Sequence, residues 1–148
     1  MTREDLIQIG NDVFVIYQNI IDRDNCKYRV MNSKNQCVEM QFEMFYNDNV
    51  NHIKYWSIVL SVNKKSRGYE YGKQTGKAGI ESLLIAKEIL KYHIDYIKSS
   101  FYKNRILIWG DDTRRLNVYA YGLKSLGFEL RQMTVSGYHT GKCLFKEI

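Results

Sequence analysis

The sequence predicts an α/β (α+β) fold, a mixed and mostly antiparallel sheet with helices packed on it. Three observations carry that expectation. Val38, Met40, Phe42 and Met44 alternate with Glu39, Gln41 and Glu43, the period-2 pattern of a strand with one buried and one wet face. Ile80, Leu83, Leu84, Leu90, Ile94 and Ile97 form an apolar stripe at helical spacing, with Lys87, Lys91, Asp95 and Lys98 largely outside it. A β-like run at 55–62 precedes that helix and a second strand–helix pair follows it, an order that lays helices against a sheet.

The first residues read as a short helix or an arm, with Thr2 and Asp5 resembling a capping box ahead of Leu6, Ile7 and Ile9. Gly10-Asn11-Asp12 ends it. Val13-Phe14-Val15-Ile16-Tyr17 is β-branched and aromatic, hence a strand. After a polar turn at 22–25, the runs 27–31 and 37–46 flank Asn32-Ser33-Lys34-Asn35-Gln36 as a hairpin. Another turn at 47–51 leads to the nearly continuous apolar run 55–62, a more deeply buried strand.

A polar loop spans 63–75, and the long helix runs from Lys77 to about Ser99. Ile106-Leu107-Ile108-Trp109 is a short strand closed by Gly110. Asp111 or Asp112 caps the next helix, in which Leu116, Tyr119, Ala120 and Leu123 recur at helical spacing and which Gly127 stops. The tail, 129–133 and 142–146 around Ser136-Gly137-Tyr138, reads as a final hairpin. No repeat or linker interrupts the chain, so a single domain over 1–148 is expected.

Composition bounds the function. Apolar residues make up 45% and charged residues 26% of 148, the balance of an ordinary globular chain. No stretch approaches the roughly 20 apolar residues of a membrane span, and the N-terminus carries acids without the apolar run of a signal peptide. Cys26, Cys37 and Cys143 are scattered and odd in number. That pattern fits buried thiols in a reducing cytoplasm better than a disulfide frame or metal site. No metal and no membrane partner are expected. The net charge is +6, and Lys64, Lys65, Arg67, Lys73 and Lys77 against Glu70 leave 5 − 1 = +4 in one stretch. Such a patch suits a phosphorylated cofactor or nucleic acid, or is a solvated loop.

The most suggestive segment is Lys73-Gln74-Thr75-Gly76-Lys77-Ala78-Gly79, which opens the long helix. A helix start leaves backbone N–H groups without intrahelical acceptors, and these, with the positive end of the helix dipole, favour a phosphate or pyrophosphate. Gly76 and Gly79 allow close backbone approach, small Ala78 adds little obstruction, and Lys73 and Lys77 supply charge.

These residues resemble the GNAT superfamily of N-acetyltransferases. Lys73-Gln74-Thr75-Gly76-Lys77-Ala78 looks like that family's Arg/Gln-x-x-Gly-x-Gly/Ala pyrophosphate motif. Arg105-Ile106-Leu107-Ile108-Trp109 and the helix 114–126 sit where the family's next strand and helix do. Leu123-Lys124-Ser125-Leu126-Gly127-Phe128 matches its Tyr-x-x-Leu-Gly-Phe ending, with Leu123 in the tyrosine position. The likeness covers roughly residue 55 to the C-terminus.

The resemblance implies a GNAT-like fold that binds acetyl-CoA as co-substrate. The amides from Gly76 to Gly79 would hold the pyrophosphate, and the edge of the 55–62 strand, Val62 included, would pair with the pantetheine arm. It also implies acetyl transfer to the amine of an unidentified acceptor. Such transfer calls for a base, a carbonyl-polarising N–H and an acid for the thiolate. Tyr119, one turn before Leu123 on the same helical face, is either the substitute acid or a packed aromatic. Glu70, in the basic loop, is either the base or a surface charge. His52, His93 and His139 are isolated, and His93 reads as packed or exposed.

Tyr69 and Tyr71 interleave with Lys64, Lys65, Arg67 and Lys73, a mixture suited to stacking on bases while gripping phosphates or to covering coenzyme A. The alternative to an enzyme is therefore a non-catalytic GNAT-fold binding module for nucleic acid or a protein partner.

Overall fold

A computed structural model of the chain describes residues 2–64, 67–70, 76–98, 101–109, 113–135, 137 and 139–148, of which 60–64, 67–70, 76–79, 113–115 and 139 are described by main chain alone. In chain order they form β1 (Thr2–Ile9), β2 (Asp12–Asp22), β3 (Asn25–Met31), β4 (Cys37–Asp48), β5 (Ile53–Lys64), β6 (Arg67–Glu70), α1 (Gly76–Ile97), β7 (Lys103–Trp109), α2 (Thr113–Leu123), β8 (Glu129–Val135) and β9 (His139–Glu147). One 3₁₀ turn, Lys124–Leu126, follows α2. The strands hydrogen-bond in the order β1-β2-β3-β4-β5-β7-β9-β8, with β6 paired to β5. The pairs β1–β2, β2–β3, β5–β6, β7–β9 and β8–β9 are antiparallel, whereas β5–β7 is parallel.

This corrects the expected fold class. The chain is mostly a mixed sheet, not a GNAT-like α/β arrangement with helices packed on the sheet; among the described residues, α-helix is confined to α1 and α2. Two misreadings account for much of the difference. The segment expected as a short N-terminal helix or an arm is β1, because pairing with β2 from Thr2↔Asn19 to Ile9↔Asp12 outweighs the capping-box pattern. The expected loop contains β6, which folds back on β5 from Lys64↔Arg67 to Ser61↔Glu70. Residues 71–75 and the proposed caps Asp111 and Asp112 lie outside the described residues.

The chain divides into two compact units, Met1–Phe42 with Val59–Tyr92, and Glu43–Ile58 with His93–Ile148. In the first, β2, β3 and β4 alternate as their sequences require. Ile16, Cys26, Tyr28, Val30, Val38, Met40 and Phe42 are buried, as are Ile85, Ala86, Ile89 and Leu90 of α1. Fully burying an isoleucine or leucine contributes roughly 1.5–3 kcal/mol, so this face holds the unit together. Tyr28 sits edge-on to both Phe42, at 5.5 Å, and Tyr92, at 5.8 Å. Its hydroxyl accepts a 3.0 Å hydrogen bond from Gln18 Nε2.

The turn at 32–36 is fastened to α1 within the same unit. Asn32 Oδ1 accepts from the N–H groups of Lys34 and Gln36, while its Nδ2 donates to Ser82 Oγ at 3.2 Å. Glu81 accepts from the Ser33 N–H at 2.5 Å and the Ser33 hydroxyl at 2.8 Å. Asn35, at φ 62°, takes the left-handed conformation that this short polar side chain tolerates.

In the second unit Ile53, Tyr55, Leu107, Val135, Cys143 and Phe145 form a buried cluster, with Phe45, Tyr46, Trp109 and Met133 packed against it. Trp56 Nε1 donates to buried Asn104 Oδ1 at 2.9 Å, and Asn104 Nδ2 donates to the Ile97 and Tyr102 carbonyls. Gly127, at φ 87°, closes the 3₁₀ turn by donating its N–H to the Lys124 carbonyl. That matches the stop expected of it.

Candidate functional site

The glycine-rich segment lies at the opening of α1. The helix starts at Gly76, so Gly76, Lys77, Ala78 and Gly79 form its first turn instead of preceding it. The first four N–H groups of a helix have no intrahelical acceptor, and this first turn carries no acidic residue. Two glycines cost the helix about 1 kcal/mol each relative to alanine. Lys73 lies outside the described residues. Val62, expected on a strand edge open to a pantetheine arm, is instead registered against Tyr69 of β6, and Glu70 against Ser61.

The other sequence candidates fall elsewhere. Tyr119 is a half-buried residue of α2, and Leu123 is buried at that helix's end. Both belong to the second unit, whereas Gly76 to Gly79 belong to the first. His93 is fully buried beside Trp56, their rings edge-on at 5.3 Å. Burial pushes its pKa down to about 3, so it is a neutral core residue at physiological pH. His52, at φ 57°, lies in a turn.

The thiols are reactive in none of the usual ways. Burial pushes the pKa of all three thiols up, that of Cys143 to about 11, so little thiolate forms near neutrality. Among the described residues no group of three or more His, Cys, Asp or Glu side chains is arranged to hold a metal ion. No helix there is long and apolar enough to cross a membrane.

Three side-chain groupings escaped the sequence reading. In the second unit, Arg105 donates from Nη1 to Tyr55 Oη at 2.7 Å and from Nε to Glu147 at 2.8 Å, and that hydrogen bond holds the Glu147 carboxyl below its ordinary range. Also in that unit, His52, Phe101 and Tyr102 pack edge-on with centroids 5.2–5.9 Å apart, and Lys54 lies 4.8 Å over the Tyr102 ring. Phe101 is 82% exposed. In the first unit, Lys27 and Arg29 converge on Glu39 at 3.5 and 3.0 Å. Each grouping joins residues on different strands or turns, so only the alternation of Lys27 and Arg29 about Tyr28 left a trace in the sequence.

No protein-family model matches the chain, and no curated protein matches it.

Proposed function

We propose that the chain is an acyl-CoA-dependent N-acyltransferase, moving an acetyl group from acetyl-CoA to an amine. The observation that carries this reading is the opening of α1 at Gly76-Lys77-Ala78-Gly79, with no acid in the first turn. In this reading the amides of that turn hold the pyrophosphate, and Lys73 and Lys77 add charge. Glu70, in the same unit as the cradle, is the base candidate for the incoming ammonium. The bound thioester supplies the activated acyl group.

Calorimetric titration with acetyl-CoA, beside coenzyme A, tests the proposal. Micromolar binding that Gly76→Asp abolishes, with the fold retained by circular dichroism, is the expected result. Absence of binding by either ligand, or unchanged affinity in Gly76→Asp, refutes the cradle.

A second reading has its own support. The His52, Phe101 and Tyr102 rings beside Lys54 offer stacking area and positive charge together, as a non-catalytic module for single-stranded nucleic acid requires. Salt-dependent binding of a short single-stranded RNA, weakened several-fold by Phe101→Ala, supports it. No binding at low salt removes it.

A further inference from the structure

We propose that the outward face of β1, β2 and β3 in the first unit is a binding site for a small aromatic anion of the nucleoside monophosphate class. A cavity of about 670 Å³ opens there, with Glu4, Tyr17, Lys27, Arg29 and Met31 in its lining. That volume lies within the range of small-molecule sites. The face is the one opposite the buried residues Ile16, Tyr28 and Val30, since side chains alternate along each strand.

Charge is asymmetric across the cavity. Lys27 and Arg29 share the single carboxylate of Glu39, which leaves 2 − 1 = +1 on the β3 side. Arg29 gives Glu39 only its Nε, at 3.0 Å, so among the described residues its two Nη groups have no acceptor. Glu39 is 19% exposed in its side chain, and this half-buried anchor pre-orients the guanidinium. A pre-oriented Arg fork with a free end matches the geometry of phosphate.

Beside the cations lies an apolar floor. Tyr17 stands directly opposite Arg29 in the β2–β3 register, with Lys27 and Met31 its diagonal neighbours. Tyr17 and Met31 are 45% and 41% exposed, and a flat ring can cover both. Across the β1–β2 pair Tyr17 faces Glu4. Arg3, also in the lining, is matched by Asp5 at 3.8 Å, so β1 adds no net positive charge to the cavity. Glu4 accepts hydrogen bonds and favours an N–H donor at the ligand's far end, with the anionic group on the β3 side. Two strand spacings, about 10 Å, separate those ends. A phosphate on Arg29 and Lys27, a base on Tyr17 and an exocyclic amino group toward Glu4 satisfy all three requirements.

The test is titration of the full chain with AMP, followed by calorimetry and by chemical-shift changes. Inorganic phosphate, adenosine and IMP, which lacks the amino group, serve as comparators. The expected result is submillimolar AMP binding with shifts at Tyr17 and Arg29. Arg29→Ala should weaken it about tenfold or more, and Tyr17→Leu several-fold, while Tyr17→Phe stays close to wild type. Adenosine and phosphate should bind at least tenfold more weakly than AMP, and IMP more weakly than AMP. These side chains are exposed, so the variants keep the fold, which circular dichroism checks. No AMP binding, phosphate binding as tight as AMP, or AMP affinity indifferent to Arg29→Ala overturns the proposal. Gly76→Asp separates this site from the α1 opening: AMP affinity that falls with Gly76→Asp and not with Arg29→Ala assigns the ligand to the helix instead. The two sites thus stand or fall independently.

Discussion

Acidification should unfold this protein in part through one residue, His93. Its ring is fully buried against Trp56, and burial lowers its pKa from 6.5 to about 3. In the unfolded chain the imidazole returns to its ordinary value, so below pH 6.5 the unfolded state takes up a proton that the folded state refuses. The contribution is therefore unimpaired above pH 6.5 and is lost as pH falls toward about 3, at roughly 1 kcal/mol or slightly more per pH unit. Between about pH 7.5 and about pH 4.5 the loss sums to about 3 kcal/mol. With a urea m-value of about 2 kcal/mol/M for a chain of this size, the midpoint should fall by about 1.5 M. Carboxylates titrate over part of the same range, so the measurement compares urea unfolding of the wild type with that of His93→Leu at both pH values. The variant lacks the imidazole and should show a pH dependence smaller by about 3 kcal/mol. Parallel losses in the two proteins refute the reasoning.

Other outcomes follow from single contacts. Asn104→Leu strands the Trp56 N–H and two carbonyls in the core, and should cost about 2–4 kcal/mol in urea unfolding. Glu81→Ala removes both acceptors of Ser33; a loss of about 1 kcal/mol and faster amide exchange across 33–36 are expected, because these bonds are solvent-exposed. Gly127→Ala places a Cβ 2.9 Å from Lys146 Nζ, the movable end of a flexible side chain. The cost of about 1 kcal/mol, read from thermal unfolding, thus comes from the left-handed backbone. In native protein a maleimide should label Cys26 and Cys143 far more slowly than in urea, since both are buried and raised.

Individual elements were more legible in the sequence than the architecture they build. The alternation around Val38, Met40 and Phe42 placed β4 correctly because each of those side chains is buried as its period demands. The stripe from Ile80 to Ile97 marked α1, but Ile80 and Leu84 are exposed and the buried face includes Ile85, Ala86 and Ile89 instead; Gly127 marked the end of the helical segment after β7. β2 was read short, at 13–17, because Gln18 and Asn19 are poor strand formers. What extends it to Asp22 is pairing with β3, and what permits Gln18 inside is the Tyr28 hydroxyl ten residues away. Local propensity carries neither fact. The β1 strand fails for the same reason: Leu6, Ile7 and Ile9 fit a helical turn as well as a strand until β2 is present to pair with it.

The candidate sites divide along the same line. The α1 opening is contiguous, so its glycines and lysines stood out. Glu4, Tyr17, Arg29 and Glu39 lie on four strands, and only the registers between those strands make them neighbours. A charged residue alternating with core residues looks the same whether it faces bulk water or the floor of a cavity.

The parallel pairing of β5 with β7 also sets an order of events during folding. Ile9↔Asp12 closes the β1–β2 hairpin across a two-residue turn, whereas Ile53↔Lys103 joins positions 103 − 53 = 50 residues apart. Closing the longer loop costs more chain entropy before any contact repays it. During synthesis the N-terminal hairpins can pair while β7 is still unmade, and the parallel ladder must wait. Trp56, registered with Ile106 in that ladder, therefore reports the late step. Its fluorescence in stopped-flow refolding should lag the far-ultraviolet signal of the early strands.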